Sequence, residues 1–119
     1  TNVLLIQQPN VKHWLVCGSN DNLVLGAVRA LEGRGFAPDS CVAVGINGTD
    51  CIIELEKSKP TSFYGSMLLQ PKQHGYQTAE MMYKWIKDGV EPPLDTRTTG
   101  ILITRENFRQ VLKEQGVRE

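Results

Sequence analysis

The chain predicts an α/β fold, a three-layer sandwich on a mostly parallel sheet, and two features of the sequence carry that prediction. The runs His13-Trp-Leu-Val-Cys-Gly and Cys41-Val-Ala-Val-Gly-Ile have the length and β-branched content of buried strands. Each passes through an asparagine turn, Ser19-Asn20-Asp21 and Asn47-Gly48-Thr49-Asp50, into a helix-like pattern. A strand followed by a helix, repeated, is the unit of a parallel sheet, so the two asparagines fall at one rim of that sheet.

The elements follow in order. Asn2 to Gln8 reads as the tail of an amphipathic helix stopped by Pro9-Asn10. The opening strand of a doubly wound sheet normally precedes such a helix, and Thr1 stands where an initiator Met would, so the expectation is a piece of a longer protein. After the first strand, Asp21 is placed to cap a helix through about Leu31, with Leu23, Val24, Ala27, Val28 and Leu31 on one face and Gly33 and Gly35 as stops. After the second, a helix from Asp50 to about Ser58 carries Ile52, Ile53 and Leu55, with Lys57 and Lys59 near its carboxyl end. Pro60 breaks the pattern, and Ser62 to Leu69 reads as a third strand, tightly packed at Gly65 and closed by Gln70-Pro71. From about His74 to Asp88 a longer helix carries Tyr76, Ala79, Met82, Tyr83 and Ile86 on one stripe, and Met81 and Trp85 widen the arc enough to suggest contact on two sides. Gly89 ends it, Glu91-Pro92-Pro93 is a stiff extended link, and Gly100 to Thr104 is the last strand. Arg105 to Gln115 closes the chain as a helix through Phe108, Val111 and Leu112.

Composition excludes several roles. With 119 residues, 40% hydrophobic and 22% charged, the chain is one ordinary globular domain in size and character. Thirteen Lys plus Arg balance thirteen Asp plus Glu, so there is no basic field for nucleic acid or anionic lipid. No apolar stretch approaches the roughly 20 residues that span a bilayer, and no secretion signal is visible at the front. Cys17, Cys41 and Cys51 have no metal-ligand spacing; they read as inert core thiols, the first two in strands. A Cys41–Cys51 disulfide is the alternative, opposed by the separation between a strand start and the helix that follows the strand.

Candidate chemistry gathers at the rim. Neighbouring strands lie about 5 Å apart, so Asn20 and Asn47 can reach one small molecule. A carboxamide offers two donors and an acceptor on one planar head, which suits the hydroxyls of a polyol or sugar. Asp21 and Asp50 would accept a further hydroxyl bond or cap the following helix. Asparagine is also common at turns and caps for local backbone reasons, and Asn47-Gly48 is a frequent turn pair, so both readings stand. His13 and His74 have no catalytic constellation beside them in sequence, and neither turn matches a phosphate-binding loop. No cofactor and no metal are predicted. The Asn47-Gly48-Thr49 sequon is read as coincidental, and Met67-Leu68-Leu69 as core or a crossover.

With both turns in view, the blocks Val11-Lys-His-Trp-Leu, Gly18-Ser-Asn-Asp-Asn, Leu25-Gly-Ala-Val-Arg-Ala, Glu32-Gly-Arg-Gly-Phe and Gly45-Ile-Asn-Gly-Thr-Asp resemble the periplasmic sugar-binding proteins of bacterial ABC importers. Phe63-Tyr-Gly-Ser, His74-Gly-Tyr, Val90-Glu-Pro-Pro and Ile101-Leu-Ile-Thr-Arg-Glu-Asn-Phe extend the likeness over essentially the whole chain. The resemblance implies the type I periplasmic-binding-protein fold, two lobes closing on a monosaccharide of the L-arabinose kind, with the carboxyl-terminal part present here. It implies a partial sugar-binding lobe over 1–70, an interlobe crossover and helix over 71–99, and a return strand and closing helix over 100–119. Asn20 and Asn47 match the family's sugar-binding asparagines. Ser19 stands where the family's pattern has a methionine on the sugar's apolar side. The expected ligand set is therefore Asn20, Asn47, Ser19, Asp21 and Asp50. The implied setting is the periplasm and the implied partner a membrane permease, with no bond made or broken. Without the second lobe, the exposed apolar helix face is expected to drive self-association.

Two other functions compete. Sugar-responsive transcriptional repressors use the same two-lobed core behind a DNA-binding head. A small flavodoxin-like enzyme would need a catalytic group at the rim and has only Ser19, Asp21, Thr49 and Asp50 to draw on.

Overall fold

A computed structural model describes residues 1–117. Residues 118 and 119, the end of the expected closing segment 100–119, lie outside the described residues. Four strands form one sheet in the order β1 (Trp14–Cys17), β2 (Cys41–Asn47), β3 (Phe63–Leu68), β4 (Ile101–Thr104). The first three run parallel, and β4 pairs antiparallel with β3, so the sheet is mixed. Among the described residues five α-helices accompany them: α1 (Asn2–Gln7), α2 (Asp21–Gly33), α3 (Ile52–Leu55), α4 (Pro71–Asp88) and α5 (Phe108–Glu114).

The chain divides into two compact units, Thr1–Leu68 with the chain from Ile101 onward, and Leu69–Gly100. In the first unit, α2, α3 and α5 cover one face of the sheet. Val24 and Val28 of α2, Leu55 of α3 and Phe108 and Leu112 of α5 bury against Ala43, Phe63, Leu68 and Ile103 of the strands. Leu5 of α1 packs with Leu31 and Cys41 in a satellite cluster beside Trp14. Burial alternates along β2, with Cys41, Ala43 and Gly45 turned to the helices and Val42 and Ile46 exposed. Leu15, Tyr64 and Leu102 are exposed in the same way. Among the described residues of this unit, then, helices cover one face of a mostly parallel sheet, in keeping with the α/β fold the sequence predicts.

That open face corrects one expectation. Cys17 was assigned to the core as a strand residue; it is exposed, because its position in β1 alternates with Trp14 and Val16 and faces away from the helices. Cys41 and Cys51 are buried, and all three thiols are free.

Two helices are shorter than their patterns. α3 is a single turn rather than a helix from Asp50 to Ser58. Its last carbonyls are taken by a side chain: the Arg105 guanidinium donates to the carbonyls of Glu54 (3.3 Å), Leu55 (3.1 Å) and Lys57. α5 begins at Phe108 and not at Arg105, since Asn107 folds back to accept from the Thr104 N–H at 2.7 Å and to donate to the Leu102 carbonyl at 3.1 Å. In the second unit α4 ends at Gly89 in the left-handed conformation (φ 67°), as the sequence indicates, and none of its residues is buried. Tyr76, Tyr83 and Ile86 are among its exposed side chains.

Candidate functional site

The parallel pairing of β1 and β2 sets the site. Cys17 is registered with Val44, and Asn20 and Asn47 each stand three residues beyond that pair, at the carboxyl ends of adjacent strands. The two asparagines are used differently. Asn20 is extended (φ −154°, ψ 166°), and its side-chain oxygen accepts from the Leu23 N–H at 2.9 Å, capping α2. The cap is thus Asn20 and not Asp21. Among the described residues this is the one hydrogen bond of its side chain, whose amide hydrogens and second lone pair remain unused.

Asn47 ends β2 with φ 112°, the one non-glycine residue with positive φ among the described residues, and Gly48 follows with φ 78°. Asparagine is among the few L residues that tolerate this region, and such backbone strain persists only where surrounding contacts enforce it. Gly48 has no substitute: a Cβ there would lie 2.7 Å from the Leu68 Cα. The Asn47 side chain is half-buried and has no protein hydrogen-bond partner among the described residues.

Asp21 was expected at the rim as a hydroxyl acceptor or a cap; the structure places it inside. It is fully buried, its Oδ2 accepting the backbone N–H groups of Gly48 (3.1 Å), Thr49 (3.1 Å) and Cys51 (3.2 Å). Its Oδ1 accepts from the Ser66 hydroxyl at 2.5 Å. Both of its oxygens are thus engaged inside the fold rather than turned to the exposed rim. The neighbouring Cys51 thiol is pushed up to about 12, first by burial and then by the negative charge of Asp21, so it stays protonated.

Asp50 remains exposed at the rim and does not cap α3. Its Oδ2 accepts from the Asn22 amide at 2.9 Å, a bond that joins the two turns at the surface. Ser19 and Thr49 are also exposed there. Below the second turn, Glu54 is buried yet ion-paired to Arg29 and, at 2.8 Å, to Lys57. Burial alone would raise its pKa; hydrogen bonds from Lys57, Arg29 and Thr61 outweigh that and lower it.

Sequence reasoning missed Ser66, Arg105 and the inward role of Asp21. One signal was available: Gly45 interrupts an apolar strand, and a strand glycine marks close approach by another group. A Cβ on Gly45 would lie 2.4 Å from the Asp21 Oδ1. A cavity of about 340 Å³ opens elsewhere, at the starts of β2 and β3, lined by Cys41, Ser62, Tyr64 and Thr104 among others. It lies at the opposite end of the strands from both asparagines.

Comparison with known proteins gives consistent relatives. Residues 1–111 match the family model of periplasmic binding proteins and the sugar-binding domain of the LacI family. The chain is 50% identical over 117 residues to the L-arabinose-binding periplasmic protein of Escherichia coli (strain K12), covering 98% of this chain and 36% of that protein. It is 41% identical over 115 residues to the ABC transporter L-arabinose-binding periplasmic protein of Azospirillum brasilense, covering 96% and 34%. The chain therefore spans about a third of the length of these curated relatives. Two solved structures share the fold. One is an ABC transporter periplasmic solute-binding protein from Actinobacillus succinogenes 130z with bound D-allose (TM-score 0.72, 22% identity, 92% of this chain and 36% of that one). The other is a periplasmic ribose ABC transporter protein from Conexibacter woesei DSM 14684 (TM-score 0.73, 20% identity, 94% and 36%).

Proposed function

Since the chain belongs to the family of periplasmic binding proteins and LacI-type sugar-binding domains, we propose that it supplies one sugar-binding rim of a solute-binding protein that serves an ABC importer. The ligand is L-arabinose or a close monosaccharide epimer, captured in the periplasm and handed to a membrane permease without chemistry. The observation that carries this reading is the pair of asparagines at the ends of two adjacent parallel strands. Asn47 in particular is held in a strained turn with a carboxamide that has no partner among the described residues. Asn20 contributes what its cap leaves free, and Ser19 and Asp50 border the pair.

A carboxamide that donates and accepts toward vicinal hydroxyls replaces the water those hydroxyls lose on binding, which suits recognition of a neutral sugar. The curated relatives at 50% and 41% identity are named L-arabinose-binding periplasmic proteins, the second of an ABC transporter, which favours a carrier over the sensing core of a repressor. The decisive experiment is calorimetric titration of the full-length protein containing this segment with L-arabinose, D-ribose and D-allose. Tight binding of L-arabinose is expected. Asn47→Ala is expected to weaken it by about 1 to 3 kcal/mol, roughly 10- to 100-fold. Unchanged affinity in both Asn20→Ala and Asn47→Ala would remove these residues from the site.

A further inference from the structure

Asp21 commits a buried carboxylate to holding another segment's backbone. Its Oδ2 collects three N–H donors from the turn after β2, 27 to 30 residues away, and its Oδ1 takes the Ser66 hydroxyl 45 residues away. Ser66 closes the circuit, since its hydroxyl oxygen also accepts from the Gly48 N–H at 3.1 Å. Room for the carboxylate exists only because position 45 has no side chain. The residue before Asp21 is Asn20, and the residue before Gly48, whose N–H is doubly held, is Asn47. Hydrogen bonds to a carboxylate are stronger than neutral ones, which suits them to offset the cost of the positive φ at Asn47.

We propose that Asp21 is the positioning residue of the sugar rim: its carboxylate, seated over Gly45 and braced by Ser66, fixes the turn that aims Asn47 and ties that turn to Asn20. The inference rests on the monosaccharide reading and deepens it, for Asp21 touches no ligand and acts through Asn47. Asp21→Asn keeps the shape and weakens the acceptor, whereas Ser66→Ala leaves the carboxylate and removes its brace.

The test is titration of the full-length protein with L-arabinose, well below each variant's melting temperature, for wild type, Asp21→Asn, Ser66→Ala and Asn47→Ala. The same Asp21→Asn and Ser66→Ala changes are then repeated in the Asn47→Ala background. Each single change is expected to weaken binding by about tenfold, the scale of one lost hydrogen bond. In the Asn47→Ala background the added loss is expected to fall below about twofold, because a residue that acts through another has nothing left to act on. Lower melting temperatures with wild-type affinity would make Asp21 a stability element only and overturn the proposal. A full tenfold loss persisting without the Asn47 side chain would overturn it equally. Wild-type protein that binds no monosaccharide would instead overturn the functional reading on which the proposal stands.

Discussion

The two strand-turn-helix units present the same residue type at the same place and stabilise it in opposite ways. The first, β1 to α2, is self-sufficient: Asn20 caps its own helix, and thirteen helical residues bury Val24, Ala27, Val28 and Leu31 along one stripe. The second, β2 to α3, is a strained turn leading into one helical turn. Contacts from elsewhere hold it: Asp21 above, Arg29 on Glu54 at the side, and Arg105 on the last carbonyls. Local signals build the first unit, and long-range polar contacts build the second. That difference leaves the Asn47 carboxamide free of structural duty among the described residues, while Asn20 commits its side-chain oxygen to capping α2.

The sharpest way to break the contrast is to put a methyl group in each turn. Gly48→Ala forces a side chain against the Leu68 backbone at a positive φ, with an expected cost of about 2 to 5 kcal/mol. Gly18→Ala meets the Val24 methyl at 2.6 Å, a side chain and not backbone, with an expected cost of about 1 kcal/mol. Denaturant unfolding of the two variants in the full-length protein measures the gap; equal costs would mean the second turn is not the rigid one.

Next in size is the backbone strain at Asn47. Asn47→Val, β-branched at φ 112°, is expected to lose about 2 kcal/mol of stability. Asn47→Gly, which accepts that φ freely, is expected to stay within about 1 kcal/mol of wild type. Both lose the carboxamide and, on the proposed reading, are expected to lose sugar affinity alike, so the pair separates fold from recognition. Asn20→Ala should behave otherwise, losing about 1 kcal/mol of stability as α2 loses its cap, together with part of the affinity.

The same contrast governs what the sequence disclosed. The placement of the Asn20 and Asn47 turns at the ends of β1 and β2, the parallel β1, β2 and β3, and the stripe of α2 were legible because they rest on local period and turn chemistry. α3 was overextended because its end is set by Arg105, about 50 residues away, and no local residue announces that. Cys17 was misplaced because an apolar strand does not reveal which of its faces the helices cover. Asp21 was read as a cap since Asp at a helix start usually is one; only Gly45 hinted that its carboxylate turns inward.

The smallest expected effect tests whether α3 depends on its charges. Glu54 is buried, which by itself would favour the neutral acid, but Lys57, Arg29 and Thr61 bind the carboxylate and lower its pKa below the unfolded value. A depressed folded pKa means that the unfolded state takes up the proton first as pH falls. The contribution of Glu54 is therefore fully present above the ordinary glutamate range and disappears as pH drops through the folded value. Arg29 and Lys57 are themselves 46% and 40% exposed, so solvent screens the pairs. Glu54→Gln should then cost about 1 kcal/mol at neutral pH. The difference from wild type should shrink toward zero at low pH and fall at neutral pH when salt is raised. A loss that is the same at every pH would mean that Glu54 supports the second turn by packing alone, and that the polar contacts holding this unit reduce to Asp21 and Arg105.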